Sequence, residues 1–388
     1  MTRTVESAFD VENAVLSRYK QGAERVQTSL CCPASQYDAR YLDVLPEEIL
    51  NKDYGCGDPS RYVCTGDCVV DLGAGAGKIC YILAQKVGVE GQVTGVDFND
   101  QMLALARKHH RRITEAVGYD NVRFAKGRIQ DLSLDLDRLS RYLADHPVRT
   151  VDDLGLLNAY CDQLRRDHPL IESGSVDVVV SNCVLNLVQP QDRRQLFGEI
   201  FRVLRCGGRA VISDIVCDED PTPGILDDPE LWSGCIAGAF REQRLLEMFE
   251  EAGFHGMEIL DRAQHPWQVI DGIEFRSMTV RAWKGKQGPC LERNQAVIYT
   301  GPWKSVIDDD GHRLERGQRA AVCDKTFKLL TDPSSPYAEQ LIPVPPLHDV
   351  LLDEAAPFEC SRAATRSPGE TKGVDYHETI RSDEPCCG

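Results

Sequence analysis

A glycine-rich turn constrains the fold of this chain more than any other feature of its sequence. Residues 69–77 read VVDLGAGAG, so a short apolar run leads directly into three alternating glycines. A helical pattern, Lys78–Val87, follows the turn and stops before Gly88. Such a strand, turn and helix are typical of the first unit of a doubly wound sheet, where small residues let the backbone approach a ligand. The segment therefore predicts an α/β domain with a ligand at the carboxyl end of its first strand.

The same alternation of strand and helix continues to residue 214. The runs predicted as strands are Cys68–Leu72, Val93–Asp97, Val122–Lys126, Val176–Ser181 and Arg209–Asp214. A helical pattern, Gln101–Val117, separates the second run from the third. Residues 133–172 hold two more helical patterns, Asp135–Asp145 and Val151–Asp167, in a connection too long for an ordinary loop. We therefore expect a Rossmann-like, doubly wound parallel sheet with a helical insertion.

Asp97 indicates what the turn binds. It closes the second predicted strand twenty positions after Gly77, where a carboxylate can accept hydrogen bonds from both hydroxyls of a ribose. A nucleotide-triphosphate loop would need glycine in place of Leu72 and serine or threonine in place of Ile79. A dinucleotide loop needs its third glycine three residues after the second, but Gly77 follows Gly75 by two. These spacings favour a nucleoside cofactor of a third class.

The D-x-G-x-G-x-G form of the turn, with Asp71 inside it, resembles the first motif of class I methyltransferases. In that superfamily the turn faces the amino-acid end of S-adenosylmethionine, so the resemblance implies this cofactor. It also implies that residues 127–130 hold the adenine and that Asn182 faces the reacting centre. The implied cofactor contacts are Asp71, Gly73, Gly75, Gly77, Asp97, Phe98, Met102, Ile129, Gln130 and Asn182.

The cysteines need an explanation of their own. The chain has 16 cysteines, and its first residues include acids instead of an apolar signal core, so we expect a reducing cytoplasmic setting that opposes lasting disulfides. No structural metal is expected, because the closest pair, Cys64 and Cys68, lacks a second pair at a zinc-binding distance. Simple packing is expected of Cys80, Cys161, Cys206 and Cys323.

Two other cysteines are predicted to lie beside the methyl donor. Cys183 directly follows the fourth strand in the segment SNCVLNL, and Cys235 lies after the fifth strand among the small residues of WSGCIAGA. Doubly wound folds bind their ligands at this carboxyl edge of the sheet. Although one packing cysteine would be ordinary there, two thiols near one methyl sulfonium suggest a thiophilic substrate.

With these motifs the sequence resembles the arsenite methyltransferases, in their eukaryotic-type form with a C-terminal extension. The segments that carry the resemblance are VQTSLC at 26–31, YGCG at 54–57, SNCVLNL at 181–187, RVL at 202–204, the stretch around Cys235 and QAVIYTG at 295–301. The resemblance spans roughly residues 15–355. It implies methyl transfer from S-adenosylmethionine to thiol-bound trivalent arsenic, with monomethylated and dimethylated products.

The resemblance also implies a role for individual residues. Cys31 would be the fourth thiol of the catalytic set, with the adjacent Cys32 able to take its place, and Tyr54 would help to close the cofactor site. Gln130 and Gly234 depart from some relatives, which carry acids there, and this puts the affinities for cofactor and arsenic in doubt. The implied ligands of trivalent arsenic are Cys56, Cys183 and Cys235.

The resemblance further implies partners, and two other interpretations stay open. A transient Cys31–Cys56 disulfide would be reduced by glutathione or thioredoxin, and the partners would be arsenite, its thiol conjugates and methylarsenite.

The two other interpretations predict different behaviour. A methyltransferase for an organic acceptor would consume the methyl donor without arsenite. A non-enzymatic metalloid-binding protein would bind arsenite without consuming the methyl donor.

Charge and hydropathy exclude other partners. The chain has 61 acidic and 44 basic residues, and its net charge of -17 predicts no affinity for nucleic acid. No apolar run approaches the roughly 18 residues that suggest a membrane span, so we expect no association with membranes. We also expect a monomer.

The sequence predicts five divisions of the chain. They are 1–60, a helical and thiol segment closing over the site; 61–217, the cofactor domain; 218–285, the arsenic-binding region; 286–355, a C-terminal domain; and 356–388, a tail ending in Cys386-Cys387-Gly388.

Overall fold

The computed structural model describes residues 11–25, 37–52, 54–333, 335–360 and 365–371. Contacts divide the chain into two compact units, Met1–Lys284 and Gly285–Gly388. None of the helices in those ranges combines the length and the apolarity needed to cross a bilayer.

The first unit alternates helices and strands along most of its length. Its helices are α1 (Val11–Glu24), α2 (Glu47–Leu50), α3 (Lys78–Val87), α4 (Asp100–Lys108), α5 (His110–Val117), α6 (Leu136–Asp145), α7 (Val151–Asp167), α8 (Arg193–Val203), α9 (Pro223–Leu226), α10 (Pro229–Ser233) and α11 (Glu242–Glu251). Its strands are β1 (Cys68–Leu72), β2 (Gln92–Asp97), β3 (Val122–Lys126), β4 (Val176–Asn182), β5 (Leu204–Cys217), β6 (Phe240–Arg241), β7 (His255–Arg262), β8 (Gln268–Ile270) and β9 (Ile273–Trp283).

One sheet of nine strands organises this unit, and its main order is β3-β2-β1-β4-β5-β9-β7. The strands from β3 to β5 pair in parallel, as the expected Rossmann-like fold requires. The far edge is antiparallel, because β9 runs against both β5 and β7. The stretch between β7 and β9 holds only the short β8 and tight turns, so it provides no helical crossover of the kind a parallel pairing requires. The expected fold class is confirmed, with this mixed edge in place of a wholly parallel sheet.

Helices cover both faces of the sheet. Successive residues of β1 point to opposite faces, so that Val69 packs in a cluster with Leu83 of α3, whereas Val70 packs in a cluster with Phe197 of α8. All four of these strand and helix positions are buried. Burial on both faces explains why the central strands are almost continuously apolar in sequence.

Two predicted elements differ from the structure in the first unit. The single helix expected over Gln101–Val117 is two helices, because the helix is interrupted at His109, which is the C-cap of α4 and the N-cap of α5. The fifth strand is also longer than the predicted Arg209–Asp214, since its pairing with β9 continues to Cys217. The insertion contains α6 and α7, and α7 begins with a capping box between Thr150 and Asp153.

The second unit is small and built mainly from strands. Its elements are β10 (Ala296–Tyr299), β11 (Ser305–Ile307), β12 (Arg313–Glu315), β13 (Arg319–Ala321), α12 (Asp324–Thr331) and β14 (Leu341–Val344). The strands β13, β10 and β14 form an antiparallel sheet, and β11 pairs with β12. From its apolar residues alone, the run Phe327–Leu330 is predicted to be a strand, and this prediction is wrong. The run lies in α12, and so short an apolar run does not distinguish a strand from a buried helical turn.

Candidate active site

The glycines of the first turn adopt backbone conformations that other residues avoid. Their φ angles are 71° at Gly73, 50° at Gly75 and 85° at Gly77. A Cβ at Gly73 would lie 2.5 Å from Val184, and one at Gly77 would lie 2.8 Å from Phe124. The turn therefore requires glycine for its conformation and for close approach to its neighbours.

Asp97 joins this turn to the end of β2. One carboxylate oxygen accepts the backbone N–H of Gly75 at 2.8 Å, and the other accepts that of Asn99 at 2.8 Å. Burial raises the pKa of Asp97, although these backbone hydrogen bonds act in the opposite direction. The carboxylate thus lies buried beside the turn, with lone pairs left for a ligand.

A cleft of about 770 Å³ opens beside Asp97. Residues at or just after the ends of four parallel strands, β1 to β4, line it, together with side chains of α1 and α4. Its walls include the expected nucleoside contacts Asp97, Phe98, Met102, Ile129 and Gln130.

A second cleft, of about 510 Å³, lies on the other side of the glycine turn. Tyr19, Gly73, Gly75, Met102 and Val184 line both clefts, so the two adjoin. Gly77 lines neither cleft and is instead the N-cap residue of α3. The second cleft contains the other expected cofactor contacts, namely Tyr54, Asp71, Gly73, Gly75 and Asn182, and also Cys183.

Asn182 fastens the YGCG segment to the end of β4. Its side-chain oxygen accepts the backbone N–H groups of Cys56 at 2.8 Å and Gly57 at 3.1 Å. Its amide group donates to the carbonyl of Gly57 at 2.8 Å and to the hydroxyl of Tyr37 at 3.1 Å. Asn182 therefore positions the turn that carries Cys56, besides lining the cleft.

Replacing Gly55 with alanine is expected to destabilise the folded chain. The new Cβ would overlap the side-chain amide of Asn182, and crowding of this kind costs about 1–3 kcal/mol. Gly155 is the matched control, because it lies exposed in α7 with no heavy atom near the position of a Cβ. Gly155→Ala should stabilise the chain by about 0.5–1 kcal/mol. Urea unfolding of both variants checks the pair, and shifts of equal sign would contradict this account.

Cys183 and Cys235 both adopt left-handed backbone conformations, with φ angles of 62° and 63°. Such conformations are uncommon for residues other than glycine and cost about 1–3 kcal/mol each, so they persist where the surrounding structure imposes them. The backbone N–H of Cys183 donates to the carbonyl of Ser213 at 2.8 Å, and the thiol of Cys235 donates to the carbonyl of Cys183 at 3.2 Å. Both side chains are buried.

The structure places the three expected arsenic ligands in one buried apolar cluster, but their three sulfurs do not all lie within 4.8 Å of one another. Cys56, Cys183 and Cys235 pack together in the same apolar cluster. The sulfurs of Cys56 and Cys183 and a carboxylate oxygen of Asp214 all lie within 4.8 Å of one another. Cys31 and Cys32 lie outside the described residues. We refer to Cys56, Cys183 and Cys235 as the active-site thiols.

Asn186 links the segments that carry two of these thiols. Its amide group donates to the carbonyl of Cys235 at 3.1 Å and to that of Ile215 at 2.6 Å. A Cβ at Gly238 would overlap the carbonyl of Asn186, so the glycine lets the two segments approach. The small residues that follow Cys235 in sequence therefore serve this close approach.

Asp214 is a site residue that the sequence analysis missed. Its carboxylate is fully buried and accepts the backbone N–H groups of Leu185 and Ile215, each at 2.8 Å. Burial raises the pKa of Asp214 to about 7, although the backbone hydrogen bonds act to lower it. An acid at the carboxyl end of the fifth strand was a signal that could have identified it.

The pKa of Asp214 predicts how stability depends on pH. An unfolded chain loses the proton of this carboxyl near the ordinary pKa of 3.8, whereas the folded chain keeps it until about 7. The free energy of unfolding that this group contributes should therefore fall as pH rises towards 7. Urea unfolding at pH 5 and pH 8 should show a smaller decline in Asp214→Asn than in the unmodified chain. Equal declines in both chains would show that Asp214 is not the source of this pH dependence.

Tyr19 is the second site residue that the sequence analysis missed. It lies in α1, lines both clefts, and shares a side-chain hydrogen bond with Cys235. Burial raises its pKa strongly, and the nearby sulfurs of Cys235 and Cys183 add to this shift. A tyrosine at helical spacing is indistinguishable in sequence from a packing residue, so no local signal distinguished it.

Helix α1 contacts the walls of both clefts. At its start Glu12 forms an ion pair with Arg128 at 3.0 Å and accepts the side-chain amide of Gln130 at 3.3 Å. Further along, Arg18 donates to the carbonyl of Glu230 at 2.9 Å. The helix therefore covers the nucleoside side and the thiol side of the site together, and Gln130 has a partner in Glu12.

The chain is similar to several characterised proteins over most of its length. A family described as a methyltransferase domain matches residues 65–145 and 154–253, and a domain of unknown function, DUF8838, matches residues 286–376. A crystal structure of an arsenic(III) S-adenosylmethionine methyltransferase from Chlamydomonas reinhardtii shares 25% identity at a TM-score of 0.53, covering 83% of this chain and 98% of that one.

Curated relatives agree with this structural match. The arsenite methyltransferase of Homo sapiens is 28% identical, covering 84% of this chain and 82% of the relative. The arsenite methyltransferase of Aquipseudomonas alcaligenes is 31% identical, covering 80% of this chain and 84% of the relative. With such identity over most of both sequences, the chain belongs to the arsenite methyltransferase family.

Proposed function

We propose that this chain transfers a methyl group from S-adenosylmethionine to trivalent arsenic held by Cys56, Cys183 and Cys235. The observation that carries the proposal is the position of Cys183. Its buried thiol belongs to the cluster of active-site thiols, and the same residue lines the cleft beside the glycine turn. Acceptor and donor sites therefore adjoin at the carboxyl ends of the central strands.

The described residues fit S-adenosylmethionine. A buried carboxylate, Asp97, stands at the nucleoside cleft to accept ribose hydroxyls, and the turn around Gly75 borders the adjoining cleft for the amino-acid end. Phe98 and Ile129 supply apolar walls for the adenine. S-adenosylmethionine supplies an electrophilic sulfonium methyl when it is bound.

The active-site thiols determine how arsenic is presented. Trivalent arsenic is soft, so thiolates are preferred ligands, and three of them leave a pyramidal centre with its lone pair directed away from the sulfurs. This lone pair is the nucleophile, so the reaction needs no general base. A productive approach of about 3–3.5 Å between the reacting atoms depends on positioning, which the left-handed backbone at Cys183 and Cys235 and the contacts of Asn182 provide.

Other side chains of the site orient the cofactor or shield the thiols from water. Asp71 and Asp97 orient the cofactor and transfer no proton. Tyr19, which is half-buried and packs against the cluster that contains the thiols, separates them from solvent together with the rest of α1.

We also propose that the chain adds more than one methyl group and draws electrons from thiols. Methyl transfer uses the lone pair of arsenic and raises it formally to the pentavalent state, so two electrons are needed to restore trivalent arsenic. Two thiols supply them when they form one disulfide, and we assign this step to Cys31 and Cys56 with glutathione or thioredoxin as the reductant. The substrates are then arsenite or its thiol conjugates and, in the second cycle, methylarsenite.

Product speciation tests this function. The purified chain is incubated with arsenite, S-adenosylmethionine and either glutathione or thioredoxin with its reductase. We expect monomethylated and then dimethylated arsenic, with one S-adenosylhomocysteine formed for each methyl group. Formation of S-adenosylhomocysteine only with an organic acceptor would favour the first alternative. Arsenite binding without any turnover would favour a non-enzymatic binding protein.

The reductant step has a separate test. A Cys31→Ser/Cys32→Ser double variant should complete a single turnover and then stop, because the disulfide that supplies the electrons cannot form. Full multiple-turnover activity in this variant would exclude the assigned disulfide while leaving methyl transfer itself intact.

A further inference from the structure

Three cysteines of the second unit come together although they are distant in sequence. The sulfurs of Cys290, Cys323 and Cys360 all lie within 4.8 Å of one another. Cys290 precedes β10, Cys323 caps the start of α12, and Cys360 follows β14. We refer to them as the C-terminal thiols. Cys323 was expected to be a packing residue, and only the folded chain reveals its two companions.

Backbone hydrogen bonds hold the three segments in this arrangement. The N–H of Phe358 donates to the carbonyl of Cys290 at 2.8 Å, which ties the first segment to the third. The N–H of Asp324 donates to the carbonyl of Leu291 at 2.9 Å, which ties the first segment to the second. The sulfur of Cys323 also accepts the N–H of Thr326 at 3.4 Å, which fixes its side chain. The cluster is therefore built by the fold of this unit.

The burial and composition of the cluster suit a bound ion better than packing alone. Cys323 is buried, whereas Cys290 and Cys360 are half-buried and accessible to a small solute. Within the described part of the chain, no histidine, aspartate or glutamate completes the group at the same distance. Lys325 interacts with Cys290, so a positive charge stands beside the sulfurs.

We propose that Cys290, Cys323 and Cys360 form a second binding site for trivalent arsenic, separate from the active-site thiols. Among the described residues the three sulfurs have no fourth ligand within that distance. This arrangement matches the three-coordinate, pyramidal preference of trivalent arsenic, whereas structural zinc takes four ligands. Arsenite binds as three As–S bonds form and three As–O bonds break, and each thiol proton leaves with a hydroxide as water. No electrons are transferred, and the resulting tris-thiolate is neutral.

Counting bound arsenic tests the proposal. Reduced protein is saturated with arsenite, desalted and analysed for arsenic per chain. A Cys290→Ser/Cys323→Ser/Cys360→Ser variant should bind one arsenic fewer than the unmodified chain. The matched control Cys64→Ser/Cys161→Ser/Cys206→Ser removes three cysteines outside both clusters and should bind the same number as the unmodified chain. No loss in the first variant, or an equal loss in both, would overturn the proposal.

A second measurement uses the unmodified chain and does not depend on how any variant folds. Alkylation followed by peptide mass spectrometry should show Cys290 and Cys360 labelled in reduced protein and protected once arsenite is present, with Cys64 labelled in both. Unchanged labelling of Cys290 and Cys360 would overturn the proposal. So would protection by Zn²⁺ with no protection by arsenite.

The proposal rests on the proposed function only in taking arsenite as the ligand, and the two can fail separately. A Cys183→Ser/Cys235→Ser variant should lose methylation and still show arsenite protection of Cys290 and Cys360. If methylation proves to be absent from the unmodified chain, the labelling result still decides whether this second site exists.

Discussion

Cys183→Ser is expected to lower the rate of arsenite methylation by about 100-fold or more, while the affinity for S-adenosylmethionine changes little. Serine keeps the size of the side chain and can keep the backbone conformation, but its hydroxyl is a poor ligand for soft arsenic. With two sulfurs left, the arsenic lone pair is no longer directed along the required line. Cys235→Ser should have a similar effect, since both residues are held by the same left-handed geometry.

Cys217→Ser is the matched control for these variants. Cys217 is buried in the same apolar cluster and its thiol donates to the carbonyl of Ala239 at 3.7 Å, but it is not among the active-site thiols. Its activity per folded chain should remain close to that of the unmodified chain. Rates come from arsenic speciation and cofactor affinity from calorimetry. Undiminished methylation in both Cys183→Ser and Cys235→Ser would exclude the assigned arsenic site.

Asp97→Asn is expected to weaken S-adenosylmethionine binding by about 10- to 100-fold. A hydrogen bond to a charged group contributes about 1.5–3 kcal/mol, and each 1.4 kcal/mol corresponds to about tenfold in affinity. The asparagine also turns an N–H₂ group toward the backbone N–H of Gly75 or Asn99, where the carboxylate accepts both. The nucleoside cleft therefore loses a ribose acceptor and gains a repulsive contact.

Asp100→Asn provides the comparison for this change. Asp100 is exposed and forms a surface ion pair with Lys126 at 2.8 Å, so its loss should leave the dissociation constant of S-adenosylmethionine unchanged. Titration calorimetry with S-adenosylmethionine measures both variants. An unchanged dissociation constant in Asp97→Asn would remove Asp97 from the cofactor site.

Local sequence patterns predicted the central fold because backbone conformation, capping and burial there depend on residues that are close together in sequence. The turn at Gly73–Gly77 needs positive φ angles that glycine supplies, and the structure has them. The strand β1 and the helices α3 and α7 have the predicted bounds, because a glycine or a capping residue marks at least one end of each element. Buried parallel strands read as apolar runs, so their number and order along the chain were also evident.

Contacts between distant segments were not predictable in this way. The amphipathic pattern of α1 indicates only that one face is buried, and it does not indicate that Tyr19 reaches Cys235. The same limit applies to Asp214, whose approach to Cys56 depends on how the YGCG segment lies across β4 and β5. The resemblance to the arsenite methyltransferases implied Cys56, Cys183 and Cys235 as arsenic ligands, whereas nothing in the sequence indicated that Cys290, Cys323 and Cys360 lie together.

Ambiguous local patterns account for the wrong elements. The run Phe327–Leu330 is short and apolar, and α12 is capped by Cys323, which is not one of the residues that usually mark the start of a helix. The helix expected over Gln101–Val117 satisfies helical periodicity on both sides of His109, so the break between α4 and α5 leaves no clear mark in the sequence.

Selecting variants of this chain for heat resistance would favour the replacement of Cys183 and Cys235. Any substitution that lets residue 183 or 235 adopt an unstrained backbone, glycine above all, recovers part of the conformational cost that cysteine bears there. Variants that have lost a ligand for arsenic would then have the higher melting temperatures and would be selected, as happens where activity depends on a strained site. An engineered, sturdier form of this protein should therefore be evolved with both cysteines held fixed, and with robustness sought in the insertion and the exposed helices.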